Sequence, residues 1–329
     1  MAKYTYELTL SSSPHAHSPV GTETIMRDVL LALLPALVGA VCFFGPRALV
    51  VTAVSTAACV AMEWAYRRWM KLDNTVWDLS AAVTGVLIAF VSPPTIPYWV
   101  LLLGDAFAIL LVKQLFGGIG QNFVNPALAG RAFMMSWAVH MTSWVPTGFS
   151  HGLALGGTVD AVTAATPLAA MHTGDLPHVT LGQLFLGQVG GCIGETSALL
   201  LLLGFGYLLV RRVISPRIPL SYLGTVAVLA FLFPRGNDPL LWSAMQLCSG
   251  GLMLGAIFMA TDYVTSPVTK LGQVLFGVGC GVLTLVIRYF GGYPEGVSYA
   301  ILMMNCCAPL LDRLGRPRVY GTPGRRAKV

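Results

Sequence analysis

The sequence predicts an all-α polytopic membrane protein with about ten transmembrane helices, arranged as two inverted five-helix repeats. Its composition supports the membrane assignment, because 55% of the 329 residues are hydrophobic and only 10% are charged. Soluble domains carry about 25% charged residues. The mean hydropathy of +0.72 agrees with this assignment. A chain this apolar lacks the polar residues that would cover a soluble surface.

Ten apolar segments come close to the length of about 20 residues that a helix needs to cross a bilayer. They are 29–45, 48–66, 78–93, 97–115, 124–140, 184–210, 219–234, 240–260, 270–290 and 297–311. These segments divide the chain into five predicted parts. The parts are an N-terminal segment 1–28, a first repeat 29–140, a loop 141–183, a second repeat 184–311 and a basic tail 312–329.

The distribution of Lys and Arg predicts the orientation of these segments. If the N-terminus is cytoplasmic and the segments alternate, sixteen of the 20 Lys and Arg residues fall on the inner side and three on the outer side. Cytoplasmic loops of membrane proteins carry such an excess. We therefore expect both termini in the cytoplasm of a bacterial cell and the loop 141–183 on the periplasmic side of the inner membrane. The basic pI is explained by this topology, and no nucleic-acid partner is expected.

Two similar stretches of sequence predict the repeat. Residues 85–94 (GVLIAFVSPP) correspond to 255–267 (GAIFMATDYVTSP), and 115–118 (LFGG) correspond to 289–292 (YFGG). Helices three to five then match helices eight to ten. Because an offset of five helices is odd, the two copies have opposite orientations. Inverted repeats are typical of transporters, whose sites lie at broken helices near the membrane midplane.

The predicted loop contains the heptapeptide DAVTAAT, which runs from Asp160 to Thr166. It resembles the motif on which an FMN is attached through its phosphate, as a phosphoester of the last threonine. A free threonine hydroxyl is a weak nucleophile, so attachment needs a flavin transferase that recognises the local peptide. The resemblance implies that Thr166 is the acceptor, with Asp160, Thr163 and Ala165 contributing to recognition.

Four further motifs occur in order along the chain. They lie at residues 10–37, 120–131 (GQNFVNPALAGR), 193–197 (IGETS) and 258–267 (FMATDYVTSP). Together with the flavin motif they resemble the D subunit of the Rnf ion-translocating oxidoreductase complexes, a homologue of the B subunit of the sodium-pumping NADH:quinone reductase. Two positions depart from the family pattern: Ala164 stands where Gly or Ser is usual, and Tyr263 replaces a proline. Neither departure removes the acceptor hydroxyl.

The resemblance implies a role in electron transport. Such complexes exchange electrons between reduced ferredoxin and NAD and couple this exchange to the movement of Na⁺ or H⁺. The resemblance implies covalent FMN at Thr166 and a second, non-covalent flavin, riboflavin. It also implies partner subunits A, B, C, E and G. The chain would then be an enzyme only as a subunit of a translocase, without activity of its own.

Several ionisable residues lie within the apolar segments, where charge is costly and therefore marks candidate sites. Arg131, together with Asn125 at the start of the same helix, is a candidate flavin contact. Glu195, Asp262 and Asp105 are candidates for an ion pathway. The alternative is that these side chains only join helices, with Arg131 paired to an acid. We predict neither a metal site nor a catalytic residue, because the seven cysteines form no C-x-x-C pair and the histidines lack metal-ligand spacing.

Other functional classes remain open from the sequence alone. No G-x-G-x-x-G lies between a strand and a helix and no P-loop occurs, so we expect NADH oxidation and ATP hydrolysis to belong to partners. An inverted five-helix repeat is also similar to the architecture of urea and ammonium transporters, which makes a non-redox permease the main alternative. A membrane scaffold whose loop docks a partner is a third interpretation. A bound flavin distinguishes the first interpretation from the other two.

Overall fold

The structure, a computed structural model, describes residues 21–144, 166–174, 176–177 and 179–315. All regular structure in these ranges is helical. The all-α prediction is therefore confirmed for the described part of the chain. Three of the predicted flavin-motif residues, Asp160, Thr163 and Ala165, lie outside the described residues.

The helices of the first half are α1 (Thr22–Phe44), α2 (Pro46–Trp69), α3 (Ser80–Phe90), α4 (Tyr98–Ala106), α5 (Pro126–Met134) and α6 (Ala138–Met141). Helix α4 continues directly as a π-helix over Phe107–Gln114. The remaining helices are α7 (Pro167–Thr173), α8 (Leu181–Leu186), α9 (Ala198–Val210), α10 (Arg217–Leu232), α11 (Pro239–Cys248), α12 (Leu252–Leu254), α13 (Lys270–Phe290) and α14 (Val297–Leu314). Helix α12 continues as a π-helix over Gly255–Met259.

Polar residues fix where several of these helices begin. Asn125, Thr166 and Asp238 each precede a proline, and their side chains accept hydrogen bonds from the first backbone amides of α5, α7 and α11. These amides have no partner within the helix, so a side-chain acceptor satisfies them. Proline suits the first helical position because its missing N–H would be unpaired there.

Three helices are long and apolar enough to cross a membrane: α1, α2 and α13. The pair α11 and α12, bent by 66° at its break, would add a fourth. Together with the composition, these helices identify a membrane protein. Ten crossings and two inverted repeats stay predictions, although every one of the ten predicted segments contains helix.

Three predicted segments are not the single helices that the sequence indicated. Segment 124–140 contains α5, a 3₁₀ turn over Met135–Trp137 and α6. Segment 184–210 is broken, because α8 ends at Leu186 and α9 begins only at Ala198. Gly187 adopts a left-handed conformation with φ of +95° and ends α8. Segment 240–260 is broken between α11 and α12, where Gly250 has φ of +64°. Mean hydropathy does not register such breaks, because glycine does not lower it enough.

Close backbone contacts hold the helices together where glycine removes a side chain. A Cβ on Gly85 would lie 2.7 Å from the Cα of Thr56, so α2 and α3 approach closely at this point. A Cβ on Gly204 would overlap the carbonyl oxygen of Ala32, because α9 lies directly against α1 there. Small residues at interfaces are the usual means by which membrane helices pack.

Candidate functional site

A cavity of about 270 Å³ lies where α5, α7 and the beginning of α14 meet the breaks before α9 and after α11. Its polar lining includes Thr166, Arg131, Glu195, Glu295 and Ser298. Its apolar and aromatic surface includes Met135, Met141, Leu168 and Tyr299. A mostly apolar cavity with a few convergent polar groups is the usual form of a small-molecule site. We call it the first cavity.

Thr166 is the N-cap residue directly before the short helix α7. Its backbone is extended, with φ of −70° and ψ of 150°, and it caps α7. The side-chain oxygen accepts a hydrogen bond from the Ala169 amide at 3.2 Å. Thr166 is half-buried and lines the first cavity. Its hydroxyl is thus held by the cap, and the residue borders a space that a ligand can occupy.

Arg131 is the buried cation of the first cavity. Its Nη1 lies 2.9 Å from Oε1 of Glu195, and its Nη2 pairs with Oε2 of Glu295. Buried charges persist when they are paired and hydrogen-bonded. With two carboxylates and one guanidinium, the cluster carries one net negative charge if both acids are ionised. Arg131 and Glu195 were predicted separately from the sequence, and the structure places them in one ion pair.

The break between α11 and α12 positions both acids. The Gly251 amide donates a hydrogen bond to Oε1 of Glu295 at 3.3 Å. A Cβ at Gly251 would overlap Oε1 of Glu195, so only glycine leaves room for the two carboxylates. The helix break that hydropathy could not reveal is therefore part of the site.

The segment before α9 is fixed to the end of α3. Backbone amides of Ile193 and Gly194 donate to the carbonyl oxygens of Ser92 and Phe90 at 3.0 and 2.9 Å. The Cys192 thiol donates to the Val91 carbonyl at 3.2 Å. These contacts explain how a non-helical segment buries Glu195 beside the cavity with its backbone groups satisfied.

Ser298 provides an unused hydrogen-bonding group. Its side-chain oxygen is buried and has no hydrogen-bond partner among the described residues. It lines the first cavity. Leaving a buried polar group unpaired costs about 1–3 kcal/mol. Because its accessible area is below 1 Å², the oxygen is covered by neighbouring atoms and would have to turn towards the cavity to bind a polar ligand.

The ion pairs with Arg131 explain this cluster of acidic side chains better than a bound metal ion does. One ligand atom each from Cys192, Glu195 and Glu295 lie within 4.8 Å of one another. Both carboxylates already pair with Arg131. Because the guanidinium charge opposes a cation at this position, the geometry favours a charge cluster over a metal centre.

A second, smaller cavity of about 90 Å³ lies near the other end of α5. It is lined by Asn122, Asn125, Thr261 and Asp262, among others. The Asn125 side chain donates to the Met259 carbonyl at 3.2 Å, and Asp262 accepts from Thr265 at 3.0 Å. The Asn122 side-chain oxygen is buried without a partner among the described residues.

The predicted site residues thus separate into three places. Thr166, Arg131 and Glu195 meet at the first cavity, and Asn125 and Asp262 at the second. Asp105 lines neither cavity. Sequence reasoning missed Glu295 and Ser298. The available signal for Glu295 was an acid next to Pro294, directly before an apolar segment; nothing in the sequence distinguished Ser298.

The chain is similar to known proteins over nearly its whole length. The profile of the NQR2, RnfD, RnfE family matches residues 9–321. The D subunit of the Na(+)-translocating ferredoxin:NAD(+) oxidoreductase complex of Acetobacterium woodii is 48% identical over 322 residues, covering 95% of each chain. The D subunit of the proton-translocating complex of Clostridium ljungdahlii is 42% identical, covering 95% of this chain and 96% of that one. The D subunit of the ion-translocating oxidoreductase complex of Stutzerimonas stutzeri is 40% identical, covering 92% and 93%.

Proposed function

The chain belongs to the NQR2, RnfD, RnfE family, and from this premise we propose that it is the D subunit of an Rnf-type complex. In this function it passes electrons between ferredoxin-linked and NAD-linked partner subunits, coupled to the translocation of Na⁺ or H⁺. The agreement of similar proteins over at least 92% of this chain supports this function over a non-redox permease or a scaffold.

The observation that carries the cofactor proposal is the position of Thr166. Thr166, the last residue of the motif that resembles a flavin-attachment site, lines the cavity that also contains the buried Arg131 guanidinium. The volume of about 270 Å³ is near the lower end of small-molecule sites, about 300 Å³. Ser298 offers an unpaired polar atom there. These residues fit an FMN esterified to Thr166.

When bound, FMN supplies one-electron and two-electron transfer, and the protein tunes it through hydrogen bonds and local charge. The chain supplies three functions at the first cavity. Thr166 would anchor the phosphate, Ser298 would hydrogen-bond the ligand, and Arg131 keeps a positive charge beside the space. In a medium of low dielectric constant that charge favours added negative charge nearby. When Glu195 and Glu295 are both ionised they outweigh the guanidinium, because the cluster then carries one net negative charge. The attraction therefore requires one of the two acids to be protonated.

Riboflavin as a second, non-covalent flavin does not fit the second cavity as the structure shows it. Its volume of about 90 Å³ is well below the roughly 300 Å³ at which small-molecule sites begin. Asn122 and Asp262 provide polar groups there, but the space is missing. The riboflavin proposal therefore rests on the family alone. Acid extraction of the purified complex and chromatography of the released flavins would test it.

The proposal includes the ten-helix inverted repeat, and the packing of α5 against α14 supports it. The start of α5 lies beside the middle of α14, because the Asn125 amide is 3.1 Å from the Asn305 side-chain oxygen in its better orientation. Glu295, just before α14, in turn pairs with Arg131 of α5. The start of each helix thus packs against the middle of the other, an arrangement that agrees with two copies related by an in-plane twofold axis.

The remaining parts of the proposal concern location and partners. The Lys and Arg distribution supports an inner-membrane protein with both termini cytoplasmic and Thr166 on the periplasmic side. Subunits A, B, C, E and G would be its neighbours, and a flavin transferase would modify Thr166. Arg211, which pairs with Asp28 at 3.2 Å, falls on the inner side in this topology.

In-gel flavin fluorescence of the denatured chain tests the cofactor proposal. The wild type and Thr166→Ala are produced together with the flavin transferase, and Thr180→Ala serves as the matched control. Thr180 also caps a short helix, α8, so its loss reproduces the structural change without touching the acceptor. We expect fluorescence in the wild type and the control and none in Thr166→Ala. Absence of fluorescence in the wild type, with a transferase active on another substrate, would overturn the covalent FMN proposal.

A further inference from the structure

Asp105 is a fully buried acid that the proposed electron transfer does not use. It lies near the end of α4, two residues before the chain continues as a π-helix, and its exposed fraction is 0%. It lines neither of the two cavities. A π-helical turn within a helix is frequently found at functional sites. The surroundings of this carboxyl therefore call for a physical explanation.

The hydrogen-bond contacts of Ser55 indicate the protonation state of the Asp105 carboxyl. The Ser55 side-chain oxygen lies 2.7 Å from Oδ1 of Asp105 and 2.9 Å from the Gly85 carbonyl oxygen. The serine hydroxyl has one hydrogen to donate. If Asp105 is ionised, one of the two contacts joins two acceptors without a hydrogen. If Oδ1 carries a proton, it donates to Ser55 and Ser55 donates to Gly85, so both contacts are hydrogen bonds.

The second oxygen of the same carboxyl leads to the same conclusion. Oδ2 of Asp105 is buried and has no partner at hydrogen-bond distance among the described residues; the Cys59 thiol near the carboxyl is only a weak donor. An ionised carboxylate normally accepts several hydrogen bonds when it is buried, because an unpaired buried charge is very costly. A neutral carboxylic acid leaves only one weak acceptor unpaired.

The charges around Asp105 do not compensate an ionised form. On α2 the Cys59 thiol lies beside it, and Glu63 follows one turn further on. Lys113 lies on the π-helix, but its ammonium pairs with Glu63 at 2.7 Å. Helix α3 contains no ionisable side chain, and the only charged residue of α5, Arg131, pairs with acids at the first cavity. An ionised Asp105 would thus add one uncompensated charge.

A metal cation is not a suitable partner for this carboxyl. Hard cations need several oxygen ligands around a space of their own size. The oxygens near Asp105 come from Ser55 and Gly85, which already contact one another, and α2 and α3 pack closely at Gly85. A proton needs no such space.

A column of polar side chains leads from Asp105 towards one end of the domain. Ser55, Cys59 and Glu63 recur every four residues and therefore share one face of α2; all three are buried. Beyond Glu63 the side chain of Thr75 donates to its Oε1 at 2.7 Å. Thr75 lies in the connection between α2 and α3 and is partly exposed. These polar side chains thus line the interval between the buried acid and the surface.

We propose that Asp105 is a proton-binding site inside the membrane domain, and that its proton exchanges with water at the Thr75 end of the column. In this exchange the O–H bond at Oδ1 breaks, the proton passes to water, and the remaining carboxylate is reprotonated from the same side. No electron is transferred. The inference depends on the membrane placement of the chain and is independent of the flavin at Thr166.

Infrared spectroscopy of the purified complex tests this site. The wild-type spectrum minus that of Asp105→Asn, at neutral pH, should contain the carbonyl band of a protonated carboxylic acid. That band should move to lower frequency after transfer to D₂O, because the carboxyl proton exchanges. Asp238→Asn, which removes an exposed carboxylate from the cap of α11, is the matched control and should reveal no such band.

Two outcomes would overturn the proposal. One is a difference spectrum with only the bands of an ionised carboxylate; the other is a protonated band that does not respond to D₂O. If Asp105→Asn fails to assemble, Ser55→Ala replaces it, and loss of the hydrogen bond should shift the protonated band to higher frequency. The same spectra of Thr166→Ala protein, which lacks the covalent flavin, should keep the band. Failure of the flavin proposal is thereby distinguished from failure of this one.

Discussion

Arg131 and Glu195 lie 64 residues apart in the chain and 2.9 Å apart in space. One belongs to the helix that Asn125 caps, and the other to a non-helical segment that hydrophobicity alone assigned to a helix. Their contact shows that the Asn-Pro motif and the GETS motif build a single site. It also places a buried ion pair of the first cavity between the two predicted repeats.

Removing the charge of Arg131 should destabilise the chain strongly. Arg131→Met leaves Glu195 and Glu295 buried without their common partner, and breaking a buried pair costs about 3–5 kcal/mol. We expect a large decrease in the thermal unfolding midpoint of the detergent-solubilised protein. Arg211→Met is the control, because the Arg211–Asp28 pair is half-exposed at the arginine and such pairs contribute about 0–1 kcal/mol. Equal losses in the two variants would contradict the importance of the buried cluster.

Replacing Ser298 should alter the redox potential of a flavin in the first cavity without loss of the flavin itself. A donated hydrogen bond of about 1 kcal/mol stabilises the reduced form, so Ser298→Ala should lower the two-electron potential by about 20 mV. Spectroelectrochemical titration measures this shift. Ser243→Ala is the control, since Ser243 donates to the Ala227 carbonyl and does not line the cavity. An unchanged potential in Ser298→Ala would exclude this hydrogen bond.

Gly85→Ala should weaken the packing of the first repeat. The added methyl group would lie 2.7 Å from the Thr56 Cα, and overpacking of this kind costs about 1–3 kcal/mol. Gly224→Ala is the matched control, because a Cβ there meets nothing within 4 Å and alanine is the better helix former. Thermal unfolding should show a loss for the first variant and none for the second. A neutral Gly85→Ala would mean that α2 and α3 separate at little cost.

Asp78 lies in the connection between α2 and α3, outside both helices, and should make stability depend on pH. Burial, and then the neighbouring Glu63, raise the pKa of this carboxyl above its ordinary value of 3.8. Because the folded state binds the proton more tightly than the unfolded state, the stabilisation is complete below that value and is lost as pH rises through the raised pKa. We expect unfolding midpoints to fall over this interval in the wild type. Asp78→Asn should remove that part of the slope, and an identical slope in the variant would contradict the assignment.

The positions of the helices followed from hydropathy because each long apolar segment must satisfy its backbone internally. Segment 270–290 coincides with α13. The breaks before α9 and after α11 could not be predicted in the same way, since they depend on tertiary partners. Gly194 fits only because it lies against Phe90, where a Cβ would overlap the ring.

The candidate site was predicted in part for a related reason. Thr166 belongs to a local motif, and Arg131 and Glu195 are charges in apolar surroundings, so each gives a signal on its own. A role of Glu295 and Ser298 in the site can be recognised only from the residues that surround them in the folded chain. Their role depends on how α14 packs against α5, which is a property of the folded chain.

The position of α5 between the two cavities has a thermodynamic consequence. Asn125 at its start lines one cavity, and Arg131, six residues and about 9 Å along the axis, lines the other. If a ligand in one cavity favours a shifted position of α5, the shape of the other cavity changes as well. Linkage then requires reciprocity: occupation of either cavity alters the affinity of the other by the same factor.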